Sequence, residues 1–167
     1  MKHLKKFKDI KEQQKLDIQL VIAIHQNKID MVKSALEAGA NPNIKDNFNT
    51  YIIIVSVFNS NLSIVKELLK AGANPDVQNK LGYTPLIDAA RDRRIRSEVR
   101  SGFEKNIYQE NILEELIKAG ANWNLKNNDG EDFFDYLPNS CREPLIDKYP
   151  EQYKEYLIKK DLEKFEL

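Results

Sequence analysis

"ALEAGANPNIKD" at 35–46, "LLKAGANPDVQN" at 68–79 and "LIKAGANWNLKN" at 116–127 are three versions of one phrase. Their shared Ala-Gly-Ala-Asn falls at 38–41, 71–74 and 119–122. The first interval is 33 residues; the second is 48, which is 33 plus an excess of 15. Related openings precede them: "IDMVKSAL" from 29, "LSIVKELL" from 62 and "ENILEELI" from 110. Self-similarity at such a period marks a repeat architecture, in which no unit buries its apolar stripe alone and each covers its neighbour.

The parts of a unit read physically. In "GYTPLIDAA" (82–90) Gly82 permits a tight turn, Thr84 can cap a helix, and Pro85 suits a first helical position, where its missing N–H would be unpaired anyway. Leu86, Ala89 and Ala90 then form a narrow apolar stripe that lets two helices approach closely. Leu62, Val65, Leu68 and Leu69 carry the spacing of a buried face on a second helix, so Leu68 is expected in the core. Gly39, Gly72 and Gly120 each follow such a helix, where a left-handed residue ends it at low cost. Asn49 stands in the second unit where Gly82 stands in the third, and Asn tolerates the left-handed region.

Over roughly residues 16–137 this pattern resembles the ankyrin repeat, with its turn, TPLHxAA inner helix, outer helix and Gly-Ala-Asn turn. Departures are "TYIII" in place of TPLH in the second unit and the lack of that signature in the first. The resemblance implies an all-α solenoid of stacked helix-turn-helix units with short β-hairpin-like turns, one enlarged repeat and a helical C-terminal cap. On that reading the chain is a single domain. A lysine-rich lead-in (1–12), a short helix or frayed cap, precedes repeats at 13–45, 46–78 and 79–126; a degenerate fourth follows at 127–140, and one or two cap helices, broken at Pro150, at 141–167. The 15 extra residues, 94–108, read as a projecting helical hairpin, with Ile95 and Val99 packed on Phe103 and Ile107 across Gly102; a disordered loop is the rival reading.

Composition narrows the function. The chain has 41% hydrophobic and 31% charged residues and zero formal net charge, so no global field favours nucleic acid or a membrane surface. The longest apolar run, "YIIIVSVF" at 51–58, is too short to span a bilayer. The basic start leads into no apolar signal region, and the lone Cys141 has no disulfide partner; both point to a cytoplasmic setting, or to a host's cytoplasm for a secreted effector. Two histidines (His3 and His25) and one cysteine make no zinc set, and neither a phosphate-binding loop nor a nucleophile elbow is present. Glu114 and Glu115 read as a solvated helix face. No enzyme, cofactor or metal is expected.

The resemblance therefore points to a non-catalytic protein-binding module, expected to be monomeric. In that family the partner lies on the concave side, against hairpin tips and the exposed face of inner helices. Carried over, those positions are His25 and Gln26; Asn47, Phe48, Thr50, Phe58 and Asn59; Lys80, Leu81, Tyr83, Arg91 and Asp92; and Asn128, Asp129 and Glu131. Phe48, Phe58 and Tyr83 stand out because aromatic residues are enriched at binding hot spots. Phe58 has a second reading, as filler under a neighbouring repeat. Trp123 replaces Pro42 and Pro75 of the other turns and is either a contact residue or a cover over the fourth unit.

A compositional anomaly adds to this list. Five of six arginines (Arg91, Arg93, Arg94, Arg96 and Arg100) fall within "RDRRIRSEVR" at 91–100, in a chain that otherwise uses lysine. Asp92–Arg96 and Arg94–Glu98 are i, i+4 pairs, which leaves Arg91, Arg93 and Arg100 without local acids on this reading. Arginine's planar fork binds a carboxylate or a phosphate at two points at once, and the partner expected here presents an acidic surface. A nucleic-acid-associated regulator is the alternative, disfavoured by zero net charge and the lack of interleaved aromatics. Such a module fits a bacterial regulator, a toxin-inhibiting immunity protein or a host-directed effector, and fold does not choose among them.

Overall fold

The phrase that repeats in the sequence becomes a repeating pair of helices and a turn in the computed structural model, which describes residues 2–91 and 112–162. Asp92, Arg93, Arg94, Arg96, Arg100 and the whole insertion lie outside the described residues. Among the described residues the architecture is all-α, with no sheet and one isolated bridge, Lys45 to Tyr51. The chain divides into two compact units, Met1–Asn74 and Pro75–Leu167.

The first unit holds α1 (Lys2–His25), α2 (Ile29–Glu37), α3 (Ile52–Phe58) and α4 (Leu62–Lys70). The lead-in expected to be separate is continuous with the first inner helix. No Gly or Pro interrupts residues 2–25, so nothing stops α1 from propagating. Helix α1 packs on α2 and α3, and α4 packs on α2 and α3. Leu20, Ala23, Ile24, Ile52, Ile53 and Leu68 are buried among them. Gly39 and Gly72 end α2 and α4 at φ +95° and +89°, as their placement in the sequence anticipates.

The lengthened α1 has a structural use. Asn43 donates from Nδ2 to Gly72 O (3.0 Å) and accepts at Oδ1 from Asn74 N (2.7 Å), tying one turn to the next. Among the described residues no such Asn bonds the turn at 39–41. Instead Gln13 Nε2 donates to Gly39 O (3.0 Å) and Asp17 Oδ1 accepts from Asn41 N (2.8 Å). Two side chains one helical turn apart on α1 thus make the bonds that a single Asn makes elsewhere.

The second unit holds α5 (Pro85–Ala90), α6 (Ile112–Lys118), α7 (Phe133–Tyr136), α8 (Asn139–Lys148) and α9 (Pro150–Leu162). Thr84 caps α5 by accepting from Ile87 N (3.1 Å), with Pro85 at the first helical position. The degenerate fourth inner helix shrinks to α7. It keeps a full N-terminal capping box: Asp132 accepts from Phe134 N, and Asp135 accepts from Asp132 N, both at 2.9 Å. Arg142 closes its other end by donating to the carbonyls of Phe134 (2.6 Å) and Leu137 (3.2 Å).

Helices α8 and α9 flank an aromatic core. The Trp123 ring meets Phe133, Phe134 and Tyr149 edge-on at 5.2, 5.7 and 6.5 Å, and Phe134 meets Tyr156 at 4.8 Å. Beneath it the buried Asp132 accepts from Tyr156 (2.9 Å) and Lys160 (3.2 Å), an ion pair that holds α9 in place. Burial, more than any neighbouring charge, pushes the Tyr156 hydroxyl up to about 12.

Glu114 corrects the sequence reading of a solvated face. It is buried, and its Oε1 accepts from Lys118 and from Lys148, both at 2.9 Å. Its partner Lys148 lies on α8, so sequence neighbours alone did not show the pairing.

Candidate functional site

The candidate positions fall in two kinds of place, turn tips and the ends of inner helices. Each tip is shaped by one Asx side chain. Asp46 Oδ1 accepts from Phe48 N (2.9 Å) and Thr50 N (3.0 Å). Asn79 does the same for Leu81 N (2.9 Å) and Tyr83 N (3.1 Å), and Asn127 for Asp129 N (3.0 Å) and Glu131 N (2.9 Å). These side chains satisfy the tip's own amides, so the residue two positions on is turned outward. Phe48 is 75% exposed at its tip, and Leu81 is exposed at the next. Asn47, Lys80, Asn128 and Asp129 are exposed beside them, while Thr50 is half-buried. The tips of 79–83 and 127–131 are joined: Asn128 donates from its backbone to Leu81 O (3.0 Å) and from its side chain to Lys80 O (3.1 Å).

The inner-helix ends carry His25, Phe58 and Arg91, spaced by 33. His25 is exposed, with Nε2 3.3 Å from Oδ2 of the buried Asp46. Gln26 and Asn59 are exposed next to His25 and Phe58. Phe58 is 81% exposed, so it fills no gap in the core, which overturns the alternative reading.

Arg91 is not without a local acid. It donates to Asp88 Oδ1 at 3.0 Å, and its guanidinium lies 3.9 Å from the Tyr83 ring centre and 5.4 Å from that of Tyr136. Tyr83 is therefore half-buried, edge-on to Tyr136 at 6.1 Å with the two hydroxyls 3.3 Å apart. Asn127 donates to Tyr136 Oη (2.9 Å) and to Glu131 Oε2 (3.0 Å), and Tyr136 donates to the same Glu131 oxygen.

Burial raises the Asp88 carboxyl, with Arg91 opposing. Hydrogen bonds from Tyr136 and then Asn127 lower Glu131. Burial, followed by the bond to Glu131, raises Tyr136. These groups bond to one another and surround Arg91, the last described residue before the insertion. Asp88 was readable from its spacing to Arg91. Tyr136 was not, because only folding brings it beside Tyr83.

Trp123 is corrected as a contact residue. At 4% exposure it lies in the aromatic core and covers the fourth unit. Cys141 is buried as well. Among the described residues no group of three His, Cys, Asp or Glu side chains is gathered for a metal ion.

A family model for ankyrin repeats matches three copies across residues 20–127. A search of curated proteins finds no match. Repeats of this family are in general protein–protein interaction modules and typically non-catalytic. Among the described residues no helix is long and apolar enough to cross a membrane. With paired helices, left-handed glycine stops and Asx-shaped tips recurring at the period of the sequence, and with well over half its length matched, the chain belongs to the ankyrin-repeat family.

Proposed function

We propose that this chain is a non-catalytic docking protein. It holds a partner at its turn tips and inner-helix ends, with Phe48 and Phe58 as apolar anchors, and presents the arginine-rich insertion to an acidic partner surface. The observation that carries this reading is the exposure of those two phenylalanines, in a chain whose Phe133 and Phe134 are buried. His25, Asn47, Asn59, Lys80 and Leu81 supply surrounding contacts. Arg91, with Tyr83 behind it, supplies a fixed cation, and Arg93, Arg94, Arg96 and Arg100 extend the positive charge. Trp123 is not part of the surface. A docking protein of this kind serves equally as a regulator, a toxin inhibitor or a host-directed effector.

The test starts from a partner identified by pull-down and mass spectrometry. Phe48→Ala with Phe58→Ala, and separately Arg93→Glu with Arg100→Glu, are titrated against it by calorimetry at low and moderate salt. Both double variants are expected to keep the native melting curve and lose affinity, and wild-type affinity is expected to fall as salt rises. Undiminished binding by both would refute the assignment. A shift with nucleic acid that the arginine reversal removes would favour the alternative of a nucleic-acid-associated regulator.

A further inference from the structure

The first unit carries a second exposed apolar surface, on α1 and α2. Ile18 and Ile22 of α1 are 59% and 44% exposed, and Met31 of α2 is exposed too. The 33-residue period says what these positions are for. Their counterparts are Tyr51, Val55 and Ile64, which are half-buried, half-buried and buried. Helices α3 and α4 have a preceding helix pair, α1 and α2, packed on them. Ile18, Ile22 and Met31 therefore form the face on which a preceding repeat would stack. A helix face left in water is normally polar; this exposed one is apolar.

Charge indicates what would cover it. Lys11, Lys15, Ile18 and Ile22 follow i, i+4, i+7, i+11 and share one side of α1, so two exposed lysines continue the apolar pair. The acids of this stretch lie elsewhere. Asp9 is about half a turn around the helix from Ile18 and Glu12 about 120° around, while Asp17 is engaged with Asn41 and Gln13. At the N-cap of α2 the exposed Lys28 stands three residues before Met31, while Asp30 and Glu37 point about 100° or more away. A second copy docked face to face would set lysines near lysines. We infer that this α1–α2 face docks an amphipathic helix of a partner protein whose apolar stripe is flanked by acidic residues.

Two synthetic helical peptides with the same leucine stripe, one flanked by glutamates and one by lysines, provide the test. Binding to the full chain is read by fluorescence anisotropy at low and moderate salt, with circular dichroism melts of each variant. The glutamate peptide is expected to bind, more weakly as salt rises, and the lysine peptide not to. Ile18→Ser with Ile22→Ser is expected to weaken binding at least about tenfold. Lys11→Glu with Lys15→Glu is expected to reverse the preference between peptides, a gain that no unfolded variant could show. Phe48→Ala with Phe58→Ala is expected to leave the affinity for the glutamate peptide unaltered, which separates this face from the tips. Equal affinity for both peptides, binding by neither, or binding lost through the phenylalanine change would overturn the inference. So would a concentration-dependent dimer in sedimentation that the serine changes abolish, because the occupant would then be a second copy.

Discussion

Gly82, at a turn tip, is held to glycine by two effects, and Gly39, at the end of α2, by only one. Both sit at positive φ, +79° and +95°. At Gly82 a Cβ would also stand 2.7 Å from the backbone nitrogen of Asn128, whereas at Gly39 it would meet nothing within 4 Å. Gly82→Ala is expected to cost roughly 2–4 kcal/mol and Gly39→Ala only about 1 kcal/mol. Urea melts of the two variants compare them, and equal losses would contradict the close approach. The aromatics divide in the same way. Trp123→Ala is expected to cost about 3–5 kcal/mol, and Phe58→Ala to stay within about 0.5 kcal/mol of wild type. A melt in which Phe58→Ala is the more damaging would move Phe58 into the core. Tyr83 belongs between them, since its ring supports both Arg91 and Tyr136.

For the elements, the outer helix α4 shows how a pattern becomes stability. Leu68 is fully buried where its spacing with Leu62 and Val65 places it. Leu68→Ala is expected to cost about 2–5 kcal/mol. Its neighbour Glu67 makes only a loose pair with Lys33 at 3.9 Å, so Glu67→Ala is expected to cost less than about 1 kcal/mol. Chemical denaturation of the pair gives the comparison, and small, equal losses would refute the packing of α4. Helix α1 illustrates the opposite case. Its continuity follows from the lack of breakers, but the use of Gln13 and Asp17 in place of a turn residue follows only from where the first turn comes to lie.

For the whole molecule, pH reads out a link between distant segments. Burial works to raise the Glu114 carboxyl, but hydrogen bonds from Lys148 and Lys118 outweigh it, and the net shift is downward. A carboxylate held below its unfolded value adds stability that is present above that value, near about pH 4.3, and is lost as pH falls through the folded value. Wild-type stability is therefore expected to fall more steeply than that of Glu114→Gln between about pH 5 and pH 3. Denaturant midpoints across that window measure it, and coincident slopes would show that the pair contributes nothing. The effect joins α6 to α8, 34 positions apart in sequence.

What the sequence determined by itself is the part set by local and periodic rules. The left-handed stops at Gly39 and Gly72, the Thr84 cap with Pro85 behind it, the tolerance of Asn49 for φ +61°, and the burial of Leu68 all follow from residues close in sequence or one period apart. The repeat, and with it the family, was legible for the same reason. Only the tertiary structure decided the fate of side chains whose partners are remote. Trp123 went to the core because Phe133, Phe134 and Tyr149 close around it. Arg91 was seated because Tyr136 arrives beside Tyr83. Glu114 became buried and paired because α8 brings Lys148 against it. A periodic pattern fixes which face of a helix turns inward, but which remote residue that face meets depends on the path of the folded chain.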